Sequence, residues 1–306
     1  MFNSTEATAI PFADDPASYT PSAFDAGPKP PTANPDDPAW GIGSAIFVWI
    51  FSLVLMAIIP LLLLLPYASS KGLHTSDPNY VKALAELALG DKTAVLLQVL
   101  AILPSHLLTF ALIWLVVTRL GKRPFWASIG WRRSGRFEIW LWAGVGLGLF
   151  IVGSTIAWLL GSAKPTQLEQ IINSSLAARF SISILAVGTA PFVEEFMYRG
   201  LLYAPLQKLA GAPIAVFLVL VLFTVIHVPQ YWPNVGVIAA VALLSIVLTT
   251  VRAYTHRLLP CIIIHLVFNG IQAALLIVEP YAHRALSAPE PVNPTFILLP
   301  LLHFIR

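Results

Sequence analysis

From residue 42 onward the chain alternates long apolar runs with short polar breaks. Seven runs stand out, at 42–66, 93–117, 139–160, 180–203, 213–228, 235–251 and 259–278. A helix rising about 1.5 Å per residue needs about 20 mostly apolar residues to cross a hydrocarbon core about 30 Å thick. The runs at 213–228 and 235–251 are short for this and fit a tilted, thin-spanning or bundle-embedded helix. A further apolar stretch at 295–305 is about half a span and predicts an eighth, incomplete or interfacial helix. Pro104 and Pro191 fall inside runs and predict kinks, tolerable where neighbouring groups bond the freed carbonyls. The pattern predicts an all-α fold, a polytopic transmembrane helix bundle of seven to eight membrane segments.

Composition agrees. Apolar residues make up 57% of the 306 and charged residues 11%, less than half of the roughly 25% usual in soluble domains. The mean hydropathy is +0.78. These values exclude a soluble globular enzyme, a disordered protein and a disulfide-built secreted module. The single cysteine, Cys261, has no partner in the chain. Residues 1–40 are of different material, rich in Pro, Ala, Asp and Ser, with too little apolar surface to offset the entropy of ordering. They read as a disordered, Pro-rich tail, and residues 41–306 as the transmembrane domain. The tail is too long and polar for the start of a signal peptide, so the first apolar run is expected to be retained.

Charge sets the expected orientation. Arg119, Lys122, Arg123, Arg132, Arg133 and Arg136 form the densest basic cluster, and basic loops stay in the cytoplasm. Placing them there puts the N-terminus in the cytoplasm too, with ten basic residues inside against seven outside when Arg199 is left out. The cluster reads as a topology signal rather than an anionic-lipid site, although membrane lipid is an expected partner of the whole domain. The protein is thus expected to be integral to a membrane, the cell membrane in a prokaryote. No nucleic-acid partner is expected. Gly144-Val-Gly146-Leu-Gly148 lacks the spacing and the preceding strand of a nucleotide loop. Gly144 and Gly148 instead form a GxxxG pair, expected to mediate close helix packing.

The candidate chemistry lies in three places. Glu194 and Glu195 sit within an apolar run, where an ionisable residue costs about 2.5–3.5 kcal/mol to insert and marks a functional site by default. On a helix Glu195 and Arg199 stand at i and i+4, the favourable order for an ion pair. Glu194, about 100° further round, is then left for proton transfer. Phe223 and His227 lie one turn apart on the fifth run, and His265 and Asn269 one turn apart on the seventh. Each pair shares a face that should look into the bundle. His106, beside Pro104, reads as a structural histidine. Glu194, His227, His265 and Asn269 supply a base, two imidazoles and an amide, which suits either activation of water against a carbonyl or ligation of a divalent metal such as zinc.

The set Glu194-Glu195-x-x-x-Arg199, Phe223-x-x-x-His227 and His265-x-x-x-Asn269, in this order on successive runs, resembles the CAAX protease and bacteriocin-processing family of intramembrane endopeptidases, also called the type II CAAX prenyl endopeptidase family. The resemblance covers residues 180–280, the expected catalytic core, with a weaker echo in Ser128-Ile-Gly-Trp-Arg132. It implies about eight spanning helices around a water-accessible conical cavity, and a peptide or lipidated protein as substrate. Glu194 would activate water with help from His227. His265 and Asn269 would stabilise the oxyanion or bind metal, and Glu195, Arg199 and Phe223 would support the site. Whether the chemistry is glutamate-dependent or metal-dependent stays open at this level. Two other functions compete: a non-catalytic bacteriocin-immunity or partner-binding relative, and a proton or cation transporter. A protease should work in detergent, whereas a transporter should follow a membrane gradient.

Overall fold

A computed structural model describes residues 33–132 and 135–286, with side chains to 282. Among the described residues every regular element is helical, and seven helical stretches are long and apolar enough to cross a membrane. They correspond one to one with the seven runs. The first is α1 (Ile42–Ser70), followed by the short α2 (Tyr80–Gly90). The second span is broken into α3 (Lys92–Leu100) and α4 (Ile102–Val117). A single turn, α5 (Phe125–Ser128), precedes the third span, α6 (Arg136–Leu159), and α7 (Gln167–Ser174) follows it. The fourth span is composite: α8 (Leu176–Gly188), α9 (Ala190–Glu195), a π-helix (Phe196–Leu202) and α10 (Tyr203–Ala210). Then come α11 (Ala212–Tyr231), α12 (Val235–Thr255) and α13 (Leu259–Leu286). The stretch at 295–305, expected to form a partial eighth helix, lies outside the described residues, as do 1–32.

Proline sets the breaks. The helix is interrupted at Ala101, three residues before Pro104, and at Thr189, two before Pro191. A proline inside a helix removes one N–H and its ring crowds the carbonyl four residues back, so a helix tends to restart with the proline in its first turn.

Successive spans run in opposite directions and give the bundle two faces. The near face carries residues 33–41, α5 and the start of α6; the far face carries α2, α7 and the link into α12. On the far face Asp91 caps α3, accepting from the Thr93 and Ala94 N–H groups and from the Tyr67 hydroxyl. The Ala94 N–H, followed by the Tyr67 hydroxyl, holds the Asp91 carboxyl below its usual range. The largest core cluster, with Trp40, Val48, Ile113, Phe125, Ile129 and Leu258 among its members, joins the near-face ends of several spans. A second cluster joins α6, α12 and α13 through Phe150, Leu248, Ile264 and Phe268.

Two expectations need correction. Residues 33–40 were expected to belong to the disordered tail, but they pack onto the near face. Asp36 Oδ1 lies 3.0 Å from Nη1 of Arg252, the Pro35 carbonyl accepts from Nη2 at 3.2 Å, and Trp40 Nε1 donates to the Leu201 carbonyl at 2.9 Å. The polar residues that made this stretch look unable to fold supply partners for a wholly buried arginine and a buried carbonyl. The GxxxG pair is also not the contact: a Cβ on Gly144 or Gly148 would meet nothing within 4 Å. Gly146, between them, faces α13, where a Cβ would lie 2.8 Å from the Ile264 carbonyl and 2.9 Å from Val267 Cβ. The apolar run identified the helix but not which side of it faces its neighbour.

Candidate active site

The break at Thr189 starts the site. Its N–H bonds the Leu185 carbonyl, and α9 carries Glu194 and Glu195 on its last turn. The chain then widens into the π-helix, whose seven residues are all buried. Such turns recur at functional sites because they re-aim side chains within a helix. This one is braced from outside: Arg252 Nε donates to the Arg199 carbonyl at 3.3 Å, and Trp40 to that of Leu201.

Glu195 and Arg199 are both wholly buried and pair at 3.0 Å between Oε1 and Nη1, as their spacing predicted. Removing two charges from water is offset only where hydrogen bonds satisfy the remaining donors. Arg199 meets that condition, with Nε to Thr249 Oγ1 at 3.2 Å and Nη2 to the Ser245 carbonyl at 3.0 Å and hydroxyl at 3.1 Å. Its guanidinium also stacks 4.8 Å from the Phe223 ring centroid. Phe223 in turn lies 4.5 Å from the His227 ring, so it is wedged between the buried cation and the imidazole.

His265 bridges the two carboxylates. Its Nδ1 lies 2.8 Å from Glu195 Oε1, and its Nε2 lies 3.8 Å from Glu194 Oε2. Unlike Glu195, Glu194 keeps about a quarter of its side chain exposed, at 23%, and it lines a cavity of about 390 Å³ together with His227, His265 and Asn269. That volume is within the roughly 300–1,000 Å³ of typical ligand pockets. The four expected catalytic residues therefore do share one cavity.

Hydrogen bonding fixes what each can offer. His227 Nδ1 lies 2.6 Å from the Phe223 carbonyl. A carbonyl can only accept, so Nδ1 carries a proton and, in the neutral ring, Nε2 keeps its lone pair. Asn269 Nδ2 donates to the Ala186 carbonyl at 2.9 Å, one of the last in α8, where the helix break leaves carbonyls without intrahelical donors. One hydrogen of that amide is thus used to hold the break, and the second is left for a ligand. His106, expected to be a purely structural histidine, also lines the cavity, with Nδ1 2.8 Å from Thr189 Oγ1.

The same four residues were also expected as a possible metal set. Among the described residues no three His, Cys, Asp or Glu side chains are grouped to hold an ion. His265 and His227 each spend Nδ1, on Glu195 and on a backbone carbonyl, and keep Nε2 for another partner, an arrangement that metal-ligating histidines share.

Sequence reasoning missed the Glu195–His265 bond, the π-helix and the role of Arg252. A signal for the last existed: Ser245, Thr249 and Arg252 make a polar stripe at helical spacing along an otherwise apolar run.

An acid–imidazole cluster thus lies within the helical bundle, beside a cavity large enough for a ligand. Residues 176–271, from the first residue of α8 to just past Asn269, match the family described as Type II CAAX prenyl endopeptidase Rce1-like. No curated protein and no solved structure matches the chain.

Proposed function

We propose that this protein is a glutamate-dependent intramembrane endopeptidase that hydrolyses a peptide bond of a membrane-associated peptide or lipidated protein. The observation that carries the proposal is the division of labour between adjacent carboxylates: Glu195 is sealed against Arg199 and His265, while Glu194 opens on the cavity. Glu194 takes a proton from water as the water oxygen attacks the scissile carbonyl. His227 Nε2, the ring nitrogen left without a proton, accepts from the same water and orients it. The oxyanion that forms is met by the spare amide hydrogen of Asn269, while His265, its Nδ1 proton on Glu195, sits against Glu194. Such donors act most strongly where bulk water is excluded. The proton held by Glu194 then passes to the leaving amine, and the second product leaves as a carboxylate. Glu195 and Arg199 hold His265 in place, and Phe223 holds His227.

Each step above is carried by side chains of this chain alone, and no step passes through an ion. The test is cleavage of a peptide pool by the purified protein in detergent, read by mass spectrometry. Glu194→Gln should abolish cleavage with the fold intact, and a chelator should leave wild-type cleavage unchanged. Normal turnover by Glu194→Gln would remove the general base, and loss with chelator would remove the metal-free route.

A further inference from the structure

The charge created by the reaction calls for more donors than the four site residues supply. As water attacks the scissile carbonyl, the C=O π-electrons move onto oxygen and leave it negative. Where bulk water is excluded, such a charge is costly unless hydrogen bonds meet it. Asn269 brings one N–H, since its other hydrogen is held by the Ala186 carbonyl. Glu194 and His227 Nε2 accept, and the Nδ1 proton of His265 lies on Glu195.

Most other polar side chains lining the cavity are already engaged. Gln98 Nε2 donates to the Ala88 and Ala94 carbonyls, at 2.8 and 3.1 Å, and so has both hydrogens in use. Gln272 leans back on its own helix, donating to the Phe268 carbonyl at 3.3 Å. The Thr189 hydroxyl donates to the Leu185 carbonyl and accepts from His106 Nδ1, which leaves the neutral His106 ring an acceptor at Nε2. Gln167 and Gln230 are exposed.

Tyr231 differs. It brings the one hydroxyl among the described lining residues. Phe223, His227 and Tyr231 follow one another at i, i+4 and i+8 along one face of α11. The Tyr231 and His227 rings stack, with planes 11° apart and centroids separated by 6.2 Å. That stack sets the phenol beside the imidazole that orients the water, near enough to Glu194 for the carboxylate's charge to act on it. The Tyr231 hydroxyl has no hydrogen-bond partner among the described residues, yet it is not one of the sealed, unpaired polar atoms of the core, so it reaches open space. Tyr198 makes the contrast: it is buried, its hydroxyl accepts from Trp49 Nε1 at 2.9 Å, and it does not line the cavity.

We propose that Tyr231 is a further catalytic residue, whose hydroxyl donates to the oxyanion alongside the Asn269 amide while its ring steadies the His227 imidazole. This rests on the endopeptidase reading and adds a residue to it. The hydroxyl keeps its proton throughout. As the oxyanion collapses, the C=O bond re-forms, the C–N bond breaks, and the amine leaves with the proton held by Glu194.

Tyr231→Phe keeps the ring and removes only the donor. With a peptide that wild type cuts in detergent, it should lower kcat by about 10²–10³, the usual effect of losing one oxyanion donor. KM and melting temperature should hold. A donor that acts only in the transition state has a second signature. An analogue with a phosphinate in place of the scissile amide should bind Tyr231→Phe more weakly, by a factor close to the loss in kcat. The intact peptide should bind Glu194→Gln and the double variant Glu194→Gln, Tyr231→Phe equally. Wild-type kcat in Tyr231→Phe would overturn the donor role and leave the endopeptidase standing. A loss confined to Tyr231→Leu would do the same and assign the ring to holding His227. A melting temperature or KM that moves with kcat in Tyr231→Phe would make the hydroxyl structural. If wild type cuts nothing in the peptide pool, the endopeptidase reading falls and this role with it.

Discussion

Glu195 Oε1 and His265 Nδ1 lie 2.8 Å apart although the residues are 70 positions apart in the chain. The same oxygen accepts from Arg199. One buried carboxylate thus joins the fourth span to the seventh and sets the angle from which the His265 ring addresses Glu194.

This coupling predicts non-additive stability. Arg199→Ala leaves Glu195 buried without its cation and should cost about 3–5 kcal/mol. The double variant with Glu195→Gln should lose less than the sum of the singles, because the stranded charge is gone. Thermal unfolding in detergent measures both; strict additivity would mean that the two side chains do not act as a pair.

His227 offers the converse case. Its recorded hydrogen bond is to a carbonyl of its own helix, and its ring faces the cavity. His227→Ala should lower the cleavage rate by roughly 10²–10⁴, the usual size of a proton-transfer contribution, with little change in melting temperature. A melting temperature that falls together with the rate would recast His227 as a packing residue.

Three glycines on α6 should behave differently. Gly146→Ala puts a methyl 2.8 Å from the Ile264 carbonyl, next to His265, and should cost about 1–3 kcal/mol through overpacking. Gly144→Ala and Gly148→Ala, with open space around them, should stay within about 0.5 kcal/mol of wild type. Equal effects at all three positions would restore the GxxxG contact.

Asp36 should matter more than its place before the first span suggests. Asp36→Ala removes a partner of wholly buried Arg252, which itself braces the π-helix, and should destabilise by roughly 1–3 kcal/mol. His256→Ala, on the other side of the same carboxylate but more than half exposed, should change little. Melting temperatures of the two variants, compared side by side, decide this.

The far-face cap makes a pH prediction. Asp91 titrates below its usual range in the folded protein, so its contribution is fully present above the unfolded value of about 3.9 and is lost as pH falls through the depressed folded value. Asp91→Asn cannot titrate. The melting-temperature gap between wild type and Asp91→Asn should therefore be constant from pH 7 to about 5 and shift only at more acidic pH. A gap that already changes near neutrality would assign the cap's pH response to another group.

The sequence by itself determined the seven spans, since hydrocarbon tolerates little but long apolar helices and each run can be read locally. It also exposed the polar residues within them, because each is costly there, and it paired Glu195 with Arg199, because both stand on one helix at fixed spacing. Tertiary structure alone decided the rest: that His265 bonds Glu195, that Asp36 meets Arg252 from 216 positions away, and that Gly146 rather than Gly144 or Gly148 faces α13. These depend on how each helix is rotated about its axis and how deep it sits. A helix apolar all round carries no stripe to fix either, so the contacts between helices, not the pattern along them, set the site.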